Sequence, residues 1–99
     1  NKWHNKVMKD NKKPLLASID GFQRSQSQEE QLNDLFVNCF RTEHGDKVLK
    51  YLRSITIETV AGFNISNEEL RSREGMRFLV GIIEQRIKEG ENVRARKSN

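Results

Sequence analysis

The sequence predicts an all-α protein: a small three-helix unit, made of a helical hairpin plus a long C-terminal helix, with extended N- and C-terminal arms. Three observations predict it. Apolar residues recur at helical spacing in three separate stretches. A hydroxyl residue able to cap a helix stands before each stretch. Pro14 is the only proline, and it precedes all three. The domain organisation that follows is an N-terminal arm over 1–28, a helical domain over 29–89 and a C-terminal tail over 90–99.

In the arm, Trp3, Val7 and Met8 stand at i, i+4, i+5, which allows a short amphipathic helix that Pro14 would end. Leu15, Leu16, Ile19 and Phe22 surround the Asp20-Gly21 turn and read as an apolar anchor. It docks either on the body or on a neighbour. Residues 23–28 are a polar linker.

The first firm helix is expected from about Gln28 to Arg41. Ser27 caps it and Glu30 completes a capping box. Leu32, Leu35, Phe36, Cys39 and Phe40 form the stripe it buries. Cys39 is then a core thiol, with no partner nearby to activate it.

Thr42 opens the second helix, with Glu43 and Asp46 on its positively polarised first turns. Gly45 allows another backbone to approach closely. The helix is expected to reach Ile57 and to bury Val48, Leu49, Leu52 and Ile55. Because Phe40 and Thr42 almost touch in sequence, the two helices meet at a tight corner. Residues 58–65 break the pattern, and Val60, Phe63 and Ile65 are expected to pack down onto the helices. A short β-segment over 55–60 is the structural alternative, given its β-branched content.

Ser66 and Glu69 form another capping box. The last helix is expected to run to about Glu89, burying Leu70, Met76, Leu79, Val80, Ile83 and Ile87, with Phe78 and Ile82 widening the stripe. Gly75 and Gly81 lie inside it, where glycine is tolerated if a neighbouring helix crosses closely. Gly90 is expected to end it. The tail beyond continues as helix only if something supports it.

The chemistry of an enzyme is not expected. His4, His44 and Cys39 are too scattered for a zinc site. The acidic pairs Glu29-Glu30 and Glu68-Glu69 stand at helix starts, where the helix dipole accounts for them. No phosphate-binding glycine loop follows a strand. No cofactor, metal, catalytic residue or small-molecule substrate is expected. One cysteine excludes an internal disulfide and fits a reducing compartment. No apolar run reaches the roughly 18–20 residues of a membrane span, and no secretory leader pattern is present.

Charge is where a partner is legible. The chain carries 18 Lys and Arg, 14 Asp and Glu, and a net charge of +4. Lys2, Lys6, Lys9, Lys12 and Lys13 crowd the first 14 residues, against Asp10. Arg94, Arg96 and Lys97 fill the tail, against Glu91. The remainder is slightly acidic. Basic arms on such a body suit phosphate backbone or an acidic protein surface, although charged tails also serve simply to stay solvated. Trp3 and His4 add rings able to stack on bases. A helix-turn-helix over Leu32 to Ile57 is the matching DNA-binding arrangement. Its second helix offers Lys47, Lys50 and Arg53, but Glu43 and Asp46 stand beside them.

Three pieces carry a resemblance, two helical segments and the variable loop between them. LFVNCFRTEHGDKVLKYL, from Leu35 to Leu52, has a phenylalanine pair, then Thr, an acid, Gly and Val-Leu before a second Leu. EGMRFLVGIIEQRI, from Glu74 to Ile87, has Glu-Gly-x-Arg before an apolar helix. In this order the body, 32–88, resembles a family of small structural (virion) proteins of tailed bacteriophages, of the Bordetella podophage type. The resemblance implies a hairpin core of Phe36, Phe40, Val48, Leu49 and Leu52, a corner at Gly45, and an Arg77 beside Gly75 that pairs with Glu43, Asp46 or Glu74. It also implies a virion structural protein without a reaction. The expected place is inside the head near the portal, as an internal core or adaptor component, after assembly in the host cytoplasm. Expected partners are further copies in a symmetric oligomer, other virion proteins such as the portal, and packaged DNA touched non-specifically by the arms. The alternative is a small DNA-binding regulatory protein.

Overall fold

The computed structural model describes residues 18–98. They form three helices, α1 (Gln26–Phe40), α2 (Glu43–Ser54) and α3 (Asn67–Ser98), and no strand. The all-α expectation holds, as do the hairpin and the long last helix.

Each helix begins where a side chain takes over its unpaired amides. Ser25, not Ser27, caps α1. Its Oγ accepts from the Gln28 amide at 3.1 Å, and Gln28 Oε1 accepts from the Ser25 amide at 3.1 Å. The same four-residue pattern occurs twice in this stretch, and the earlier copy wins because it adds helix. Thr42 caps α2 as expected, accepting from the Gly45 amide at 2.9 Å. Ser66 Oγ accepts from the Glu69 amide at 3.1 Å, but the Glu69 carboxylate turns to Arg73, so that box is half made.

The α1–α2 corner depends on Gly45. A Cβ there would collide with the Cys39 carbonyl oxygen and lie 2.7 Å from Phe40 Cα. Around the corner the Phe36 and Phe40 rings stack, centroids 6.1 Å apart. They pack with Leu52, Ile57 and Ile83 against buried Leu49, Val80 and Ile87. This is the apolar centre of the molecule.

Several expectations need correction. Helix α2 stops at Ser54, and 55–60 is a turn over 55–58 followed by irregular chain, not a strand. Thr56 Oγ1 donates to the Leu52 carbonyl and Thr59 Oγ1 to that of Ser54, which ends the helix by offering its carbonyls side-chain donors. Val60 and Phe63 do not pack down; they are 89% and 108% exposed. The buried face of α1 is centred on Asn33 and Val37, leaving Leu35 and the Cys39 thiol exposed. Leu70, Met76, Phe78 and Leu79 are also exposed. Gly75 and Gly81 meet no neighbouring helix, since a Cβ at either would have open space around it.

The largest correction concerns the tail. Helix α3 does not stop at Gly90 but runs on to Ser98. Gly90 is the point where α1 crosses it: a Cβ there would lie 2.9 Å from the Asn33 carbonyl oxygen. Past the crossing, Arg94 reaches Asp34 at 2.7 Å and Asn38 at 2.8 Å. Arg41 reaches Glu91 at 2.9 Å. These contacts supply the support the tail lacks by itself. A 32-residue helix spans about 48 Å, and the molecule measures 49 × 41 × 16 Å. Its radius of gyration is 17.3 Å, against about 12–13 Å for a compact chain of this length.

The two glycines predict opposite responses. Gly90→Ala is expected to lower stability by about 1–3 kcal/mol through overpacking at the crossing. Gly81→Ala, in open helix interior, is expected to raise it by up to about 1 kcal/mol. Denaturant titration followed by circular dichroism measures both; equal effects would contradict the crossing.

Candidate interaction surface

The most deeply buried polar group is Arg86, 2% exposed on the face of α3 that meets α1. Burial of a guanidinium is costly unless its donors and charge are met. Here both are. Arg86 donates to Asn33 Oδ1 at 2.9 Å, Ser18 Oγ at 3.1 Å, Asp20 Oδ2 at 3.2 Å and Glu29 Oε2 at 3.3 Å. Arg24 closes the group from outside, reaching Asp20 at 2.9 Å and Glu29 at 3.3 Å. Two arginines and two carboxylates thus form a neutral cluster. It fastens the strap 18–24 and the start of α1 to the middle of α3.

The carboxylates show the strength of this setting. Asp20 is held far below its ordinary 3.8, chiefly by the Arg24 guanidinium and then by the Phe22 amide. For Glu29, burial pushes upward, but the Ser18 hydroxyl and the charges of Arg86 and Arg24 outweigh it and the net direction is down. Nothing in the residue pattern singled out this cluster. The available signal was Asn33, a polar residue at the centre of an otherwise apolar helix face, and an arginine four residues from a glycine crossing is not distinctive.

A second feature faces solvent. The turn after α2 and the first half of α3 enclose an open groove of about 600 Å³. Ile55, Ile57, Val60, Leu70 and Met76 supply its apolar lining, and Glu69, Arg73, Glu74 and Arg77 its charged lining. Arg77 fixes the groove wall. Its guanidinium donates to the carbonyls of Ile57 and Thr59, both at 3.3 Å, and to that of Thr56 at 3.5 Å, holding the turn against α3. Among the expected acids it approaches only Glu74, at 3.6 Å. Phe63 stands fully exposed in the same loop.

The sequence-derived site residues fall in three groups. Leu15, Leu16, Lys2, Lys6, Lys9, Lys12 and Lys13 lie outside the described residues. Of the rest of the anchor, Ile19 is half-buried on the body, while Phe22 is exposed beneath the Arg24 guanidinium, 5.7 Å from its ring centroid. The basic tail lies on the last turns of α3: Arg94 is paired with Asp34, Lys97 comes within 3.7 Å of Glu30, and Arg96 is exposed. Of the corner and core residues, Phe36, Phe40, Gly45, Leu49 and Leu52 come together as expected, Arg77 pins the loop, and Gly75 sits apart from the corner.

Charge also sorts differently from the arm-and-tail division. Residues 18–98 hold 13 basic and 13 acidic side chains, so the whole excess of +4 belongs to residues 1–17. Among the described residues no group of His, Cys, Asp and Glu is placed to hold a metal, and no helix is long and apolar enough to cross a membrane. No family model, curated protein or solved structure matches the chain.

Arg86→Met is expected to cost about 2–4 kcal/mol, toward the lower side for breaking a buried pair, because Arg24 remains and both carboxylates keep a fifth of their side-chain surface exposed. Since both carboxylates titrate lower in the folded protein, their contribution is complete above their ordinary range and declines as acid protonates them. Wild-type stability should therefore fall below about pH 4, and Arg86→Met should fall less steeply. Parallel slopes in thermal melts across that range would contradict the assignment.

Proposed function

We propose that this chain is a structural and docking component of a bacteriophage virion, stationed inside the head at the portal, and that it has no reaction of its own. The observation that carries the docking role is the uncovered apolar surface around the groove. Monomeric soluble proteins rarely leave apolar patches larger than a few hundred Å² in water. Here Val60 and Phe63 alone are almost wholly exposed, and Leu70 and Met76 continue the surface along α3. The neutral body favours a protein partner for that surface over nucleic acid.

The virion assignment rests on the resemblance over Leu35 to Leu52 and Glu74 to Ile87. The core contacts of Phe36, Phe40, Leu49 and Leu52 and the close approach at Gly45 agree with the roles that resemblance implies, whereas Val48, implied as core, is exposed. The lysines of residues 1–17 suit packaged DNA or an acidic protein wall. A DNA-binding regulatory role is the alternative, favoured by that same charge. On α2, however, Lys47 lies 3.5 Å from Glu43, and Arg53 is paired with Glu58 and Glu84, so a recognition helix there has little free charge.

Purified particles are expected to contain the protein, and cryo-microscopy to place it within the head. Val60→Asp combined with Phe63→Asp should block its incorporation while leaving helical content unchanged, because both side chains are already in water. Location on the outer capsid lattice would refute the station. Duplex binding near the roughly 10⁻⁸ M of specific regulators, lost steeply with salt, would replace the reading with the regulatory one.

A further inference from the structure

One face of α3 is used neither by the groove nor by the Arg86 cluster. Arg71, Gly75, Phe78, Ile82, Gln85 and Glu89 follow one another at spacings of four, three, four, three and four, the repeat of a helix–helix seam. At 3.6 residues per turn this stripe lies opposite Val80, which points into the core. Arg71, Gly75 and Phe78 are exposed, and Ile82, Gln85 and Glu89 are half-buried. Phe78 leaves 62% of its surface in water. Gly75 has open space where a side chain would project, so no packing among the described residues accounts for a glycine there.

The stripe is a palindrome about position 80. Turned end for end, a second α3 brings Phe78 against Ile82, Gly75 against Gln85 and Arg71 against Glu89, and two-fold symmetry makes each pairing twice. The charges suit this meeting. Arg71 has no ion pair among the described residues, whereas Arg73 and Arg77 on the other side of the helix are paired with Glu69 and Glu74. Glu89 accepts from the neutral Gln85 amide at 2.9 Å and has no ion pair among the described residues. The two lone charges sit at opposite ends of one seam on the same face of α3.

We propose that two copies of this chain associate through an antiparallel pairing of α3, seamed by Phe78 and Ile82, with Gly75 admitting Gln85 and with Arg71–Glu89 ion pairs at both ends. The pairing rests on the reading that the chain works as part of a symmetric assembly, and supplies that assembly with a defined contact. A single helix seam falls toward the small side of specific interfaces, below about 1,200 Å² in total. The isolated dimer is therefore weak, with a dissociation constant on the order of 10–100 µM. The orientation is fixed by charge: parallel pairing would set Arg71 beside its own copy and Glu89 beside its own.

Sedimentation equilibrium of the full chain under reducing conditions tests this, the reductant guarding against disulfide formation at exposed Cys39. Wild type should dimerise within that concentration range. Phe78→Asp, at an exposed position, should remain monomeric with unchanged helicity. Arg71→Glu and Glu89→Arg should each weaken the dimer about tenfold or more, and the double variant should recover wild-type affinity. A monomeric wild type, a dimer indifferent to Phe78→Asp, or single reversals that the double does not rescue would overturn the proposal. A monomeric chain that still enters particles would sink the seam and leave the virion role standing. A dimer that never enters them would do the reverse.

Discussion

One buried guanidinium sets the register of this protein. Arg86 donates hydrogen bonds to a strap, to the start of α1 and to the middle of α1, with carboxylates of opposite charge among the acceptors, and all must arrive together for its burial to be tolerable. An apolar contact in the same place would tolerate sliding. A fork-shaped donor among Asp20, Glu29, Asn33 and Ser18 does not. Four residues along the helix, Gly90 lets the α1 backbone come close enough for this to happen. Charge and close approach together specify how α1 crosses α3, where the buried apolar residues among those described are Val37, Leu49, Val80 and Ile87.

That division of labour explains the open shape. The C-terminal half of α3 is covered by α1, through Arg86, Gly90 and Arg94. The N-terminal half receives only α2 and the turn that Arg77 holds down. Nothing in the described residues lies over the rest of that half. The exposed apolar side chains therefore follow from the topology: one long helix and two short ones cannot enclose a 49 Å rod on all sides. A surface left bare by such construction is available to partners without any rearrangement, and so without the entropy cost of ordering a loop upon binding.

Much of the fold was legible in the sequence because the signals were local. Thr42 as the cap of α2, Ser66 as the cap of α3, and the Phe36–Phe40 pair at i, i+4 each involve neighbours in the chain, and each was placed correctly. What was not legible involved distant partners. Leu35 and Cys39 fitted an apolar stripe by spacing, but Asn33 and Val37 face the core because Arg86 and Gly90 lie opposite them. Gly90 read as a helix terminator, whereas its value is the missing Cβ at a crossing more than fifty residues away in sequence from Asn33. The basic tail read as an arm for the same reason: Arg94 becomes part of a helix only when Asp34 and Asn38 come beside it. The loop was misjudged in the other direction, since apolar residues promise burial only if something covers them.

The charge distribution then separates two kinds of association. Within residues 18–98 the balance of acids and bases is even, and most arginines already have an acid beside them. Contacts made by this body depend on apolar area and on matched pairs at short range, and salt at physiological strength weakens those only modestly. The excess charge of residues 1–17 works otherwise. Lysines meeting phosphate release counterions, so that attraction fades steeply as salt rises. A component built this way can hold its protein neighbours while ionic conditions change and exchange its polyanionic contacts independently. The fold enforces the separation by neutralising Arg94 and Lys97 against α1, which leaves the excess charge at the other end of the sequence.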